Sequence, residues 1–245
     1  MTYLEFHLCF IIPPLLIALF LARNELREKN YQGLVGIFVL ALVAFVYTTP
    51  WDNYLVYKNV WWYGIERVIS SIYYVPVEEY AFFVLQTFLT GLFYLFIASP
   101  SKWVSVIDQK KLHFSIDIRA MIAFVLPGII FSVLLFFTSS FYLGLILFWS
   151  MPVVSIQWYF GRKILLRRKK AIIMTILPIT VYLWLADLYA INNHIWMISK
   201  DYTTGFHILG LPIEEAIFFL VTNIMVVQGL CLFLDPSMRK VVLKK

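Results

Sequence analysis

The sequence predicts an all-α integral membrane protein: seven transmembrane helices, arranged as two parallel three-helix repeats with a connecting helix between them (3+1+3). Three observations carry that expectation. Of 245 residues, 62% are hydrophobic and only 14% charged, a balance outside that of ordinary soluble domains. Seven apolar runs each approach the roughly 20 residues that a bilayer requires. One short phrase also occurs twice, as Pro76-Val77-Glu78-Glu79-Tyr80-Ala81-Phe82-Phe83 and as Leu211-Pro212-Ile213-Glu214-Glu215-Ala216-Ile217-Phe218-Phe219.

The spans are expected at 4–22, 33–50, 76–97, 120–137, 141–160, 171–188 and 211–234. The first has no basic stretch before it and no small-residue cleavage site, so it reads as a retained span and not as a signal peptide. Cys9 in the first span and Cys231 in the last are expected to be buried small hydrophobes. Pro13, Pro14, Pro127, Pro152 and Pro178 fall inside spans and imply kinks, which membrane helices tolerate. The fourth and fifth runs are divided only by the tight turn Thr138-Ser139-Ser140. Nearly all of the 20 Lys and Arg follow spans one, three and five or lie in the C-terminal tail. The densest cluster is Arg162-Lys163 with Arg167-Arg168-Lys169-Lys170. The positive-inside rule then puts the N-terminus outside and the C-terminus in the cytoplasm, in a multi-pass protein of the cell membrane. Loop charges of this kind suit anionic lipid, so the net charge of +6 does not point to a nucleic-acid partner.

The repeat extends beyond the doubled phrase. Pro13 and Arg23 echo Pro152 and Arg162. Asp52 precedes Glu78 at nearly the spacing at which Asp187 precedes Glu214, and Trp61 matches Trp196. The chain therefore divides into a first repeat (1–98), a cytoplasmic loop and connector helix (99–140), a second repeat (141–236) and a basic tail (237–245). An odd number of spans per repeat plus one connector keeps both repeats in one orientation. Both Pro-acid-acid phrases then begin helices on the non-cytoplasmic side, and Asp52 and Asp187 are expected to end their spans there. The loops 51–75 and 189–210 are aromatic, not polar. The first holds Trp51, Tyr54, Tyr57, Trp61, Trp62, Tyr63, Tyr73 and Tyr74. Such segments act either as interfacial anchors or as a lid over an apolar ligand.

The acids carry the functional signal. Proline suits a first helical turn, and carboxylates suit the positive end of the helix dipole. Acids at a membrane helix point by default to function. Neighbours on a helix diverge by about 100°, so each pair presents one carboxyl inward and one aside. Gln86, Thr87 and Thr90 below Glu79, and Thr222 and Asn223 below Glu215, favour Glu79 and Glu215 as the inward pair. The helix N-terminus favours the anion, whereas burial and a second carboxylate favour the neutral acid; one protonated and one ionised group make an acid–base pair. The plain alternative is helix capping and packing. Other chemistries lack their motifs: there is no glycine-rich nucleotide or phosphate loop, no His-Glu-x-x-His and no paired cysteines. His7, His113, His194 and His207 are scattered, and Glu5 and His7 near the acid cluster read as interfacial polar residues. No lysine stands in the last span to form a retinal Schiff base. No cofactor and no metal are expected.

The two phrases, with Trp51-Asp52-Asn53-Tyr54 and Phe83–Leu92, resemble the integral-membrane lycopene β-cyclases. The resemblance is to the fused two-repeat form, spans nearly the whole chain and shows no phytoene synthase domain. It implies conversion of linear lycopene ends into β-rings by protonation, carbocation closure and deprotonation, without net redox change. It implies Glu78, Glu79, Glu214 and Glu215 as acid–base residues and Asp52 and Asp187 as supporting charges. The rings of Trp51, Trp61, Trp62, Tyr80, Phe82, Phe83, Trp196, Phe218 and Phe219 would bind substrate and face the cation. The implied partners are a linear carotene, membrane lipid, and a second copy or other carotenoid enzymes. Alternatives are a small 3+1+3 transporter or a related end-group hydratase.

Overall fold

The computed structural model describes residues 1–27, 31–98 and 118–236. Its helices are α1 (Tyr3–Leu26), α2 (Tyr31–Tyr57), α3 (Val77–Ile97), α4 (Ile118–Ser132), α5 (Phe141–Arg167), α6 (Lys169–Asn192) and α7 (Ile213–Leu234). All but α4 are long and apolar enough to cross a membrane. α4 is shorter and runs into single-turn 3-10 segments, Val133–Phe136 and Thr138–Ser140. The loop 99–117 with His113, and the tail 237–245, lie outside the described residues.

Helices are the answer to an apolar chain because lipid offers no partner to a free N–H or C=O. Their outer faces are apolar and exposed, as at Leu16, Ile17 and Phe20 on α1 and Leu177 and Leu185 on α6. Near two of the prolines a tyrosine from another helix donates to a backbone carbonyl. Pro14 has no N–H to offer the carbonyl of Phe10, next to a π-helical turn at His7–Ile11. The Tyr182 hydroxyl of α6 donates to that carbonyl at 2.7 Å. In the second repeat the Tyr47 hydroxyl of α2 donates to the carbonyl of Trp149, three residues before Pro152, at 2.9 Å.

α3 and α7 form the centre. Phe82 meets Phe219 edge to face, with ring centroids 6.2 Å apart. Below them a polar ladder crosses the seam: Gln86 Nε2 donates to Thr222 Oγ1 at 3.1 Å and Thr90 Oγ1 to Asn223 Oδ1 at 2.8 Å. Asn223 Nδ2 continues to Thr180 Oγ1 at 3.0 Å. α1 and α2 flank α3; α5 and α6 flank α7; α2 also touches α7, and α6 touches α3. The close approach needs small residues. A Cβ on Gly91 would lie 2.6 Å from Ile37 Cγ1.

Two expectations need correction. α2 continues through Pro50 to Tyr57, and α6 continues to Asn192, so Asp52 and Asp187 do not end their spans. They sit inside the last turns, 0% and 2% exposed. Pro50 is exposed on the outer face, where its ring bends the helix without stopping it. Cys9 is exposed on the outer face of α1, whereas Cys231 is buried.

The aromatic loops fold back over one end of the bundle. α2 and α6 stop at matched left-handed residues, Asn59 (φ 55) and His194 (φ 54). Six short strands follow: β1 (Trp61–Tyr63), β2 (Ser71–Ile72), β3 (Val75–Pro76), β4 (Trp196–Ile198), β5 (His207–Ile208) and β6 (Leu211–Pro212). β1 pairs antiparallel with β4, Trp61 with Ile198, Trp62 with Met197 and Tyr63 with Trp196. This ribbon joins the two repeats. The hairpins β2–β3 and β5–β6 deliver the chain into α3 and α7. Leu209 (φ 52) and Gly210 (φ 92) form a two-residue turn with both φ positive.

Candidate active site

Beneath the β1–β4 ribbon four carboxyl groups converge: Asp52 from α2, Glu79 from α3, Asp187 from α6 and Glu215 from α7. All four line one buried chamber. Trp51, Trp61, Trp196, Phe82, Phe218 and Phe219 supply much of its wall, with Phe83 beside them. Among the described residues no lysine, arginine or histidine lines it. The space is about 40 Å³, enough for water but not for a carbon ring.

Phenols hold the glutamates. Tyr3, in the first turn of α1, donates to Glu79 Oε2 at 2.5 Å. Tyr142, in the first turn of α5, donates to Glu215 Oε1 at 2.7 Å. Tyr63 on the ribbon adds a second donor to Glu79 Oε2 at 3.1 Å. Burial first, and then the acid charges of Asp52 and Glu79, push the Tyr63 phenol well above its ordinary pKa, which keeps it a donor. Trp196 Nε1 donates to Asp187 Oδ1 at 2.8 Å, while Asp187 Oδ2 is buried without a partner among the described residues. Both oxygens of Asp52 and the Nε1 of Trp61 are buried without a partner among the described residues.

The neighbouring glutamates do something else. Glu78 Oε1 accepts the backbone N–H of Ile69 at 2.7 Å. Glu214 Oε1 accepts the backbone N–H and the hydroxyl of Thr204 at 2.7 and 2.8 Å. Both are buried outside the chamber and pin the loop that leads into their helix. Trp62 and Tyr80 lie outside it too. Trp62 alternates to the outer face of the ribbon. The Tyr80 hydroxyl donates to the carbonyl of Ile72 at 3.1 Å and accepts from Asn53 Nδ2 at 2.9 Å.

Trp51 lies nearly parallel to Phe218 (5.8 Å, 5°) and stacks on Trp149 at 4.9 Å. His7 stacks on Phe82 at 6.0 Å behind the chamber, and Glu5 caps the N-terminus of α1 through Thr2. Tyr3 and Tyr142 were not among the residues singled out from the sequence, and Tyr63 was named only as one of the aromatic loop residues. For two of them a signal existed: Tyr3 precedes Pro13 by the same spacing at which Tyr142 precedes Pro152.

The arrangement can hold and pass protons in an apolar, ring-lined space. A family model described as lycopene cyclase matches residues 1–97 and 139–231. A protein named lycopene β-cyclase from Halobacterium salinarum is 39% identical over 237 residues, covering 95% of each chain. Proteins named bifunctional lycopene cyclase/phytoene synthase from Blakeslea trispora and Podospora anserina are 33% and 32% identical. Those matches take in 94% of this chain and 38% and 40% of theirs. No solved structure matches.

Proposed function

The chain belongs to the lycopene cyclase family, and we propose that it is a lycopene β-cyclase whose chemistry runs in the chamber under the ribbon. It is an enzyme that isomerises a linear carotene end group into a β-ring. A carboxylic acid of the chamber delivers its proton to C2 of the terminal double bond. The C5=C6 π pair attacks the resulting cation at C1, which forms the C1–C6 bond and moves the positive charge to C5. A carboxylate takes the C6 proton, and the C–H pair becomes the ring double bond. No electron is gained or lost overall.

The observation that carries this reading is the meeting of Asp52, Glu79, Asp187 and Glu215 in one small space walled by aromatic rings. General acid and base line the same chamber. The π faces of Trp51, Trp61, Trp196 and Phe218 can stabilise a passing cation, and a site without bulk water protects it from capture. Glu79 and Glu215 do the proton transfer, with Asp52 and Asp187 as their supporting carboxyls. The 3+1+3 plan, with α4 as connector, sets both acid-bearing helix heads on the non-cytoplasmic side. The matched pairs Tyr3–Glu79 and Tyr142–Glu215, and the distribution of Lys and Arg, support that arrangement. The fungal relatives that combine cyclase and phytoene synthase in one name support a setting among other carotenoid enzymes.

The test is the pigment profile of a lycopene-accumulating bacterium carrying this gene. Cyclic carotenes should replace lycopene. Changing Glu79 and Glu215 together to glutamine should leave lycopene intact while the protein stays in the membrane fraction. Normal β-carotene from that double variant would reject the assignment of the chamber.

A further inference from the structure

The lining of the chamber is matched between the two halves of the chain at most positions, and on the ribbon the match fails at one. Because β1 and β4 pair as Trp61–Ile198 and Tyr63–Trp196, Tyr63 and Ile198 occupy related places on the ribbon. Both line the chamber. Tyr63 gives Glu79 a second phenol donor, and Tyr63 and Tyr3 stack at 6.0 Å to hold both hydroxyls on one oxygen. Ile198 has no hydroxyl to give the opposite side. There Glu215 has a single phenol and shares the chamber with a second carboxyl, Asp187, which Trp196 anchors. Carboxyls gathered in one chamber, with no cation lining it among the described residues, keep a proton among them; anions side by side would repel. An oxygen facing two hydroxyl donors is an acceptor.

We propose that this asymmetry divides the labour: the Asp187–Glu215 pair donates the proton to C2, and Glu79 is the base that removes the proton from C6. Tyr63 is the positioning residue that fixes Glu79 over C6. The O–H bond of the pair breaks as the C2–H bond forms; the C6–H bond breaks as Glu79 becomes protonated, so atoms and charge balance. Position matters because the C5 cation can lose a proton from three places. Loss from C6 gives the β-ring, loss from C4 gives the isomeric ε-ring, and loss from the C5 methyl gives an exocyclic alkene. A base held by two phenols selects among them; a looser one does not.

The inference rests on the cyclase reading, and pigment analysis in lycopene-accumulating cells separates the two. If the wild-type chain leaves lycopene unchanged, the cyclase reading falls, and this inference with it. Given a cyclising wild type, Glu215→Gln should cut lycopene consumption about 100-fold or more, the scale of a lost general acid. Glu79→Gln should still consume lycopene but yield ε-ring, exocyclic or water-captured products in place of most β-ring. Tyr63→Phe should lower the β-ring share and raise the two isomers at an unchanged amount of membrane-bound protein. Ile198→Tyr, which supplies the missing phenol to the other side, should slow consumption without changing the isomer share. Identical outcomes for the two glutamine variants would overturn the division of roles. So would their exchange, or a Tyr63→Phe enzyme that makes only β-rings at a lower rate. Loss of membrane-bound Tyr63→Phe protein would leave the glutamine pair to decide the roles.

Discussion

Glu78 and Glu79 are neighbours in the chain and meet different surroundings. About 100° of helix rotation separates a carboxyl bonded to a loop N–H from a carboxyl facing the ring-lined chamber. The same split divides Glu214 from Glu215. Glu78→Gln keeps an acceptor for Ile69 and should leave ring formation within about twofold. Glu78→Ala strands that N–H and should cost about 1–3 kcal/mol, read as a lower unfolding temperature in detergent. If Glu78→Gln instead abolished ring formation, Glu78 would belong to the chemistry and the geometric division would be wrong. The sequence brought the choice down to two residues per phrase and leaned to the inward pair through the polar residues below. It could not do more, because Gln86 and Thr222 stand two turns below Glu78 and Glu214 as well as near the other face. Tyr63 left no trace at this scale, since one tyrosine among many in an aromatic loop carries no spacing to distinguish it.

At the scale of elements six of the seven expected spans were legible and the ribbon was not. Hydropathy finds a membrane helix because the bilayer dictates both length and composition. A three-residue strand such as Trp61–Tyr63 has too few alternations to read, and its partner lies in the other repeat. The end of the second span is set too early at position 50: the helix runs on through Pro50 to Tyr57, so Asp52 lies in its buried last turns and not at a span end. Two backbone carbonyls near prolines are met by tyrosines from other helices. Tyr182→Phe removes the donor to the Phe10 carbonyl and should destabilise the protein by about 0.6–1.7 kcal/mol, the range for hydrogen bonds between membrane helices. Tyr47→Phe should cost a similar amount at Trp149. Thermal unfolding of both variants in one detergent checks this; no change in either would mean that the bent helices satisfy those carbonyls themselves.

Taken whole, the molecule is a helical bundle around a chamber too small for its own substrate. About 40 Å³ cannot admit a six-carbon ring with its methyl groups, so a wall must give way. The ribbon closes the top with paired strands, and the Gln86–Asn223 ladder closes the floor. The side wall is weakest at Trp51. This ring lines the chamber and also a shallow apolar hollow on the outer face of α2, formed by Leu42, Val43, Val46, Tyr47 and Pro50. The related place on α6, counted from the Asp52–Asp187 match, is Ala186, and it is buried. A long polyene dissolved in lipid can lie in the hollow and swing its end group past Trp51, leaving the rest of the chain in the membrane. Val46→Trp fills the hollow without touching an acid. It should slow lycopene consumption several-fold while leaving the ring type and the thermal stability unchanged. Val181→Trp, at the matching exposed site on α6, should do neither. Equal rates in the two variants would place the passage elsewhere, and a changed ring type in Val46→Trp would mean that the hollow reaches the reacting atoms themselves.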